Sequence, residues 1–192
     1  VPKWRGWRRG FPRTAIVGLD AGPGEAKDEI NHAVRRGFAM LVRQLLSMKS
    51  DSGKAGIEAG TIITIKPEAT LAEAVKLLAD QRIGAVVVSS DGRTPEGILS
   101  ERDVVRQLGA HGSGVLDTPL GKVMTRAVQT CTTGEDALTI LERMTQGRFR
   151  HLPVVDDSGH MLGLISIGDA VSGRLKELAA EKDALTGMIM GS

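Results

Sequence analysis

One cysteine, no tyrosine, three phenylalanines and two tryptophans are all that this chain of 192 residues has of those types. A lone Cys131 cannot close an internal disulfide, which excludes a disulfide-held secreted scaffold and points to a reducing, cytoplasmic setting. The longest strongly apolar run, Ile83 to Val88, is far short of the roughly 20 residues that cross a bilayer, so no membrane association is expected. A strong charge of one sign is missing as well, the net charge being +2. Residues 1–39 carry eight Lys/Arg against four Asp/Glu, and residues 40–192 carry 17 against 19. The body is therefore slightly acidic and lacks the positive field that a nucleic-acid backbone demands, and no nucleic-acid partner is expected.

Catalytic equipment is equally sparse. His32, His111, His151 and His160 are scattered without metal-ligand spacing, and no cysteine pairing accompanies them. There is no G-x-x-x-x-G-K-[ST] loop and no G-x-G-x-x-G between a strand and a helix. Cys131 reads as a small buried hydrophobe rather than a nucleophile. The expectation is a protein that is not an enzyme, with no metal and no catalytic cofactor.

What is present is ordinary globular material, 41% hydrophobic and 25% charged. Residues 1–30 form a basic, tryptophan-bearing extension without apolar periodicity, expected to be disordered. Its alternative reading is docking on lipid or nucleic acid, and solvation is the simpler one. From Asn31 the apolar residues Val34, Phe38, Leu41, Val42 and Leu45 fall on one helical face, and a Gly-rich loop follows, so residues 31–60 read as an N-terminal helix and loop.

Residues 62–106 repeat 66 positions later without a gap: Thr64/Thr130, Arg82/Arg148, Gly97/Gly163, Ser100/Ser166, Asp103/Asp169 and Val105/Val171 are identical pairs. Each copy reads as β-α-β-β-α. In the first, Thr70 and Glu73 form a capping box ahead of Leu71, Val75 and Leu78; in the second, Asp136 takes the cap. The fold class is α+β: two such repeats at 61–110 and 126–175, joined by a linker at 111–125, packed as a pseudo-two-fold pair and flanked by N- and C-terminal helices. Neither copy is large enough to bury a sufficient core alone. Residues 176–192 form a helix or tail, and the spacing of Val171, Leu175, Leu178 and Leu185 suggests an apolar seam, hence a homodimer.

At matching places a strand leaving Gly97 or Gly163 runs into a helix start, Ser100-Glu101-Arg102-Asp103 and Ser166-Ile167-Gly168-Asp169. A serine there sits where free backbone N–H groups and the helix dipole favour phosphate, and an Asp three residues on offers acceptors for ribose hydroxyls. The same pair is also a plain capping box that needs no ligand. Recurrence in register, beside Arg102 in one copy and Arg148 and Arg150 in the other, favours the ligand.

The doubled unit, the strand Arg148-Phe149-Arg150-His151-Leu152-Pro153-Val154-Val155-Asp156 and the paired Gly-x-x-Ser-x-x-Asp endings resemble tandem cystathionine-β-synthase (CBS) domains, a Bateman module. The likeness covers residues 40–192 and is strongest to stand-alone bacterial tandem-CBS proteins; by it, Met40 lies near a typical start and residues 1–39 look like an added extension. It implies a regulatory module that binds an adenosine-containing ligand (AMP, ADP, ATP or NAD) between the repeats and reports energy or redox state to an unidentified regulated protein. Under it Ser100 and Ser166 hold phosphate and Asp103 and Asp169 hold ribose. The base lies against Ile83, Gly84 and Ala85 or Phe149, Arg150 and His151, with Ile63 and Gln129 closing the pockets. Gly168 stands where the first copy has Arg102, so the two clefts are expected to differ. The alternative is a ligand-free scaffold for dimerisation or partner contact.

Overall fold

Thr70 starts the first long helix by satisfying its own exposed end. Its hydroxyl accepts from the Glu73 N–H at 3.2 Å, and the Glu73 carboxylate accepts from the Thr70 N–H at 2.7 Å. The computed structural model describes residues 39–51 and 62–190, and over them the chain is α+β. Helix α1 spans Val42–Asp51. The first repeat consists of β1 (Thr64–Ile65), α2 (Leu71–Gln81), β2 (Ala85–Val88), β3 (Gly97–Ser100) and α3 (Glu101–His111). A 3-10 turn at Ser113–Asp117 and a short α4 (Leu120–Val123) lead to the second repeat: α5 (Ala137–Gly147), β4 (His151–Val155), β5 (Met161–Ser166) and α6 (Ile167–Met190).

The repeat seen in the sequence extends to sheet register. Ala85 lies opposite Ser100 in the antiparallel β2–β3 pair, and His151 lies opposite Ser166 in β4–β5. In the first repeat β1 adds to β2 in parallel. In the second the expected first strand shrinks to a single parallel bridge, Cys131 with Val154. The chain turns away directly after Cys131, because the Thr132 N–H is claimed by the Glu135 carboxylate at 2.8 Å. Helices α2 and α5 both end on an arginine in the left-handed region, Arg82 at φ 52° and Arg148 at φ 55°. A side chain there costs about 1–2 kcal/mol, which is why glycine is the usual residue at such an end.

Two cores form, and each is completed by a segment outside its repeat. Val42 and Leu45 of α1 are buried with Ile140, Met144, Leu152, Val154 and Ile165 of the second repeat. Val115, Leu120 and Met124, which follow the first repeat, are buried with its Leu71, Leu78, Val86 and Leu99. Burying one such side chain is worth about 1.5–3 kcal/mol, so each small repeat gains the apolar surface it lacks. One expectation is corrected here. Within the run expected to be helical from Asn31 through Leu45, residues 39–40 are not helical and Leu41 bridges Asp136, so the described helix begins at Val42. Backbone pairing takes over, with the Val42 N–H on Glu135 O at 2.8 Å and the Ala137 N–H on Met40 O at 2.9 Å. The linker is helical in two short turns because Val115 and Leu120 are drawn into the core.

Helix α6 also anchors α1. Buried Glu177 accepts from the Met40 N–H and pairs with Arg174 at 2.7 Å. The basic extension, the expected helix start at Asn31 and all but the first two residues of the loop expected at 50–60 lie outside the described residues. Among the described residues no helix is long and apolar enough to cross a membrane.

Candidate ligand-binding cleft

The β3–α3 junction of the first repeat faces the α5–β4 turn of the second. Ser100 caps α3: its hydroxyl donates to Asp103 Oδ2 at 2.6 Å, and its N–H donates to the same oxygen at 2.9 Å. The other carboxylate oxygen, Oδ1, accepts from Arg106 at 2.6 Å. That partner is exposed and on the same helix, so it can swing aside at little cost, as exposed i,i+3 pairs contribute only about 0.2–0.5 kcal/mol. The cap and a carboxylate open to a ligand are thus one arrangement.

In front of it lies a cleft of about 560 Å³, within the size range of small-molecule sites. Ser100, Arg102, Asp103 and Arg106 line one wall; Gln129, Arg148, Phe149, Arg150 and His151 line the other. Five arginines (102, 106, 143, 148 and 150) meet there with a single carboxylate, Asp103, giving a strongly positive interior. Arg143 is fixed by Glu135 and by Thr130 O, both at 2.7 Å. Among the described residues no carboxylate pairs with Arg148 or Arg150, so both remain available to an anion. Burial, reinforced by the charges of Arg150 and Lys49, pushes the His151 imidazole down to about 4, against the smaller opposing pull of Asp169. His151 is therefore neutral at physiological pH and offers a hydrogen bond or a flat ring face rather than a charge.

The sequence-derived candidates divide between this cleft and its surroundings. Ser100, Arg102, Asp103, Gln129, Arg148, Phe149, Arg150 and His151 are brought together. Ile63 and Ile83 pack on the first core, and Ala85 is buried in β2. Gly84 lies behind the cleft against the His151 ring. Ser166 and Asp169 form an equivalent cap, with Ser166 Oγ donating to Asp169 Oδ2 at 2.7 Å, but outside this cleft. Their carboxylate is taken up by Lys49 of α1, whose ammonium donates to Asp169 Oδ2 at 3.2 Å and to Leu164 O at 2.9 Å. Burial alone would push the Asp169 carboxyl up, yet the Ser166 hydrogen bonds and the Lys49 charge together hold it below the usual carboxylate range.

Residues that the sequence reading did not single out also line the cleft: Ile98, Arg106, Thr125, Ala127, Arg143, Gln146 and Gly147. One signal was available, since 143, 146 and 147 fall at i, i+3 and i+4 on α5, along the flank of the face that buries Ile140 and Met144. Thr125 carried none: it arrives by pairing with Ile98 across the end of β3.

Comparison with known proteins bears on this arrangement. The model of the CBS domain matches residues 59–110 and 120–175. The CBS-domain containing protein ATU1752 of Agrobacterium tumefaciens is similar in structure, with a TM-score of 0.63 and 36% identity over 71% of this chain and 94% of that one. The mitochondrial CBS domain-containing protein CBSX3 of Arabidopsis thaliana is 35% identical over 64% of this chain and 61% of its own length. The CBS domain protein PAE2072 of Pyrobaculum aerophilum, solved with AMP, shares the fold at a TM-score of 0.55 and 23% identity, over 68% of this chain and 89% of that one. Among the first curated relatives it matches, the chain spans between 35% and 64% of their length.

Proposed function

The chain belongs to the CBS-domain family, and from that membership we propose that it is a non-enzymatic regulatory module that binds an adenosine-containing nucleotide in the cleft between its repeats. One observation carries the reading: the Ser100–Asp103 pair opens onto a cleft whose far wall presents Arg148 and Arg150 to an anion. Asp103 takes the ribose hydroxyls, the α3 N-terminus and the arginines take phosphate, and the base enters between Gln129, Phe149 and His151. AMP, ADP, ATP and NAD all fit this chemistry. The AMP bound by PAE2072 supports the class of ligand, since the fold is shared. A ligand that contacts both repeats favours one relative orientation of them, and that difference is what a regulated partner reads. The exposed Val171, Leu175 and Leu178 on α6 offer that partner, or a second copy of the chain, an apolar face.

The test is a melting titration of the full chain with AMP, ADP, ATP and NAD. A ligand that binds only the folded state raises the midpoint, by an amount equivalent to about 2.7 kcal/mol at a hundredfold excess over Kd. The rise should vanish in Ser100→Ala/Asp103→Ala. No rise with any nucleotide at millimolar concentration overturns the reading in favour of a scaffold.

A further inference from the structure

The two Ser/Asp motifs are alike in sequence and unlike in what covers them. At the end of β3, Ile98 exchanges backbone hydrogen bonds with Thr125, each at 3.0 Å, and the cleft opens beside it. The matching position on β5 is Leu164, and its carbonyl accepts instead from the Lys49 ammonium, which also holds Asp169. Helix α1 is wedged in place around that contact. A Cβ on Gly163 would fall 2.5 Å from Leu46 Cδ2, and Leu45 fills the space over Gly173. Asp103 is held by a neighbour on its own helix, whereas Asp169 is held by a residue 120 positions away on a packed element.

We propose that Lys49 closes the second Ser/Asp motif to adenosine ligands, so that the chain takes one such ligand at Asp103, and that removing the ammonium opens a second site of the same class at Asp169. The inference rests on the adenosine-binding reading above. Asp169 Oδ2 already accepts from the Ser166 N–H, the Ser166 hydroxyl and Lys49, so a ribose diol that uses this oxygen meets the ammonium. Displacement makes the half-exposed Lys49 ammonium give up its bond to Leu164 O as well, whereas at Asp103 it moves only the exposed Arg106 side chain. α1 therefore sets how many nucleotides the module holds, and any event that shifts α1 changes that number.

Calorimetric titration of the full chain and its Lys49→Met variant with AMP tests this. The binding stoichiometry should rise by one in the variant and fall back in Lys49→Met/Asp169→Asn, while Lys49→Arg stays at the wild-type value. Should Met at this position unfold α1, Lys49→Gln removes the charge with a polar tip retained. An unchanged stoichiometry on loss of the ammonium overturns the proposal, as does a wild-type value of two. Wild type at one and the variant at one leaves the adenosine reading intact and removes the latch. Wild type at zero and the variant at one removes the first site and keeps the latch, and zero in both removes both.

Discussion

Gly84 of the first repeat backs directly onto His151 of the second: a Cβ at residue 84 would lie 3.4 Å from His151 Cε1 and 3.6 Å from Glu101 Oε2. The single methyl of alanine is thus just accommodated, and anything larger displaces the imidazole into the cleft. Gly84→Val should lower AMP affinity at least tenfold and destabilise by about 1–3 kcal/mol through overpacking, with Gly84→Ala close to wild type in both. Calorimetric titration and urea melts of the two variants give the comparison; equal affinity in the Val variant means that His151 does not touch the ligand.

Arg148 separates folding from binding. Its backbone sits at φ 55°, where glycine is less strained, and its side chain lines the cleft. Arg148→Gly should keep or raise the melting temperature while weakening ATP more than adenosine, because only the phosphates meet the lost guanidinium. A parallel loss of affinity for both ligands would place Arg148 against the base or ribose instead.

His151 makes stability depend on pH. Unfolded, its imidazole titrates near 6.5; folded, burial and the neighbouring cations push it down to about 4. Between these values the unfolded chain holds a proton that the folded one does not, so stability is fully present above about pH 6.5 and is lost as pH falls toward 4. The part owed to this ring is on the order of 2 kcal/mol, below the full linkage value because the ring is only partly buried. Urea melts of wild type and His151→Gln from pH 7.5 to 4.5 should converge at the acid end, and parallel curves would assign the slope to other groups.

Glu177 ties the two ends of the described chain together through the Met40 N–H and Arg174. Glu177→Ala strands the half-buried Met40 donor and, among the described residues, leaves Arg174 its 3.7 Å contact to Glu181. A loss of about 1–3 kcal/mol is expected, the cost of leaving one such donor unsatisfied, because Arg174 itself is partly exposed. Hydrogen exchange should speed up in α1 before it does in α2, and a uniform change would mean that α1 is held mainly by Val42 and Leu45.

Much of this protein is written in local chemistry. The 66-residue repeat, the caps at Thr70, Asp136, Ser100 and Ser166, and the apolar faces of α2 and α5 follow from side chains acting on backbone within a few residues, which a linear reading captures. Ser100, Asp103, Arg148 and His151 were legible as candidates for the same reason: each lies at a junction that the repeat marks twice. Which junction meets which was not legible. That α1 completes the core of the second repeat, that Thr125 borders one motif and Lys49 seals the other, and that Arg143 reaches the cleft from a helix face all depend on contacts between residues far apart in the chain. Identical motifs leave that choice undetermined; close packing of Leu45 and Leu46 over Gly173 and Gly163 makes it, because each glycine leaves the space that one particular side chain fills.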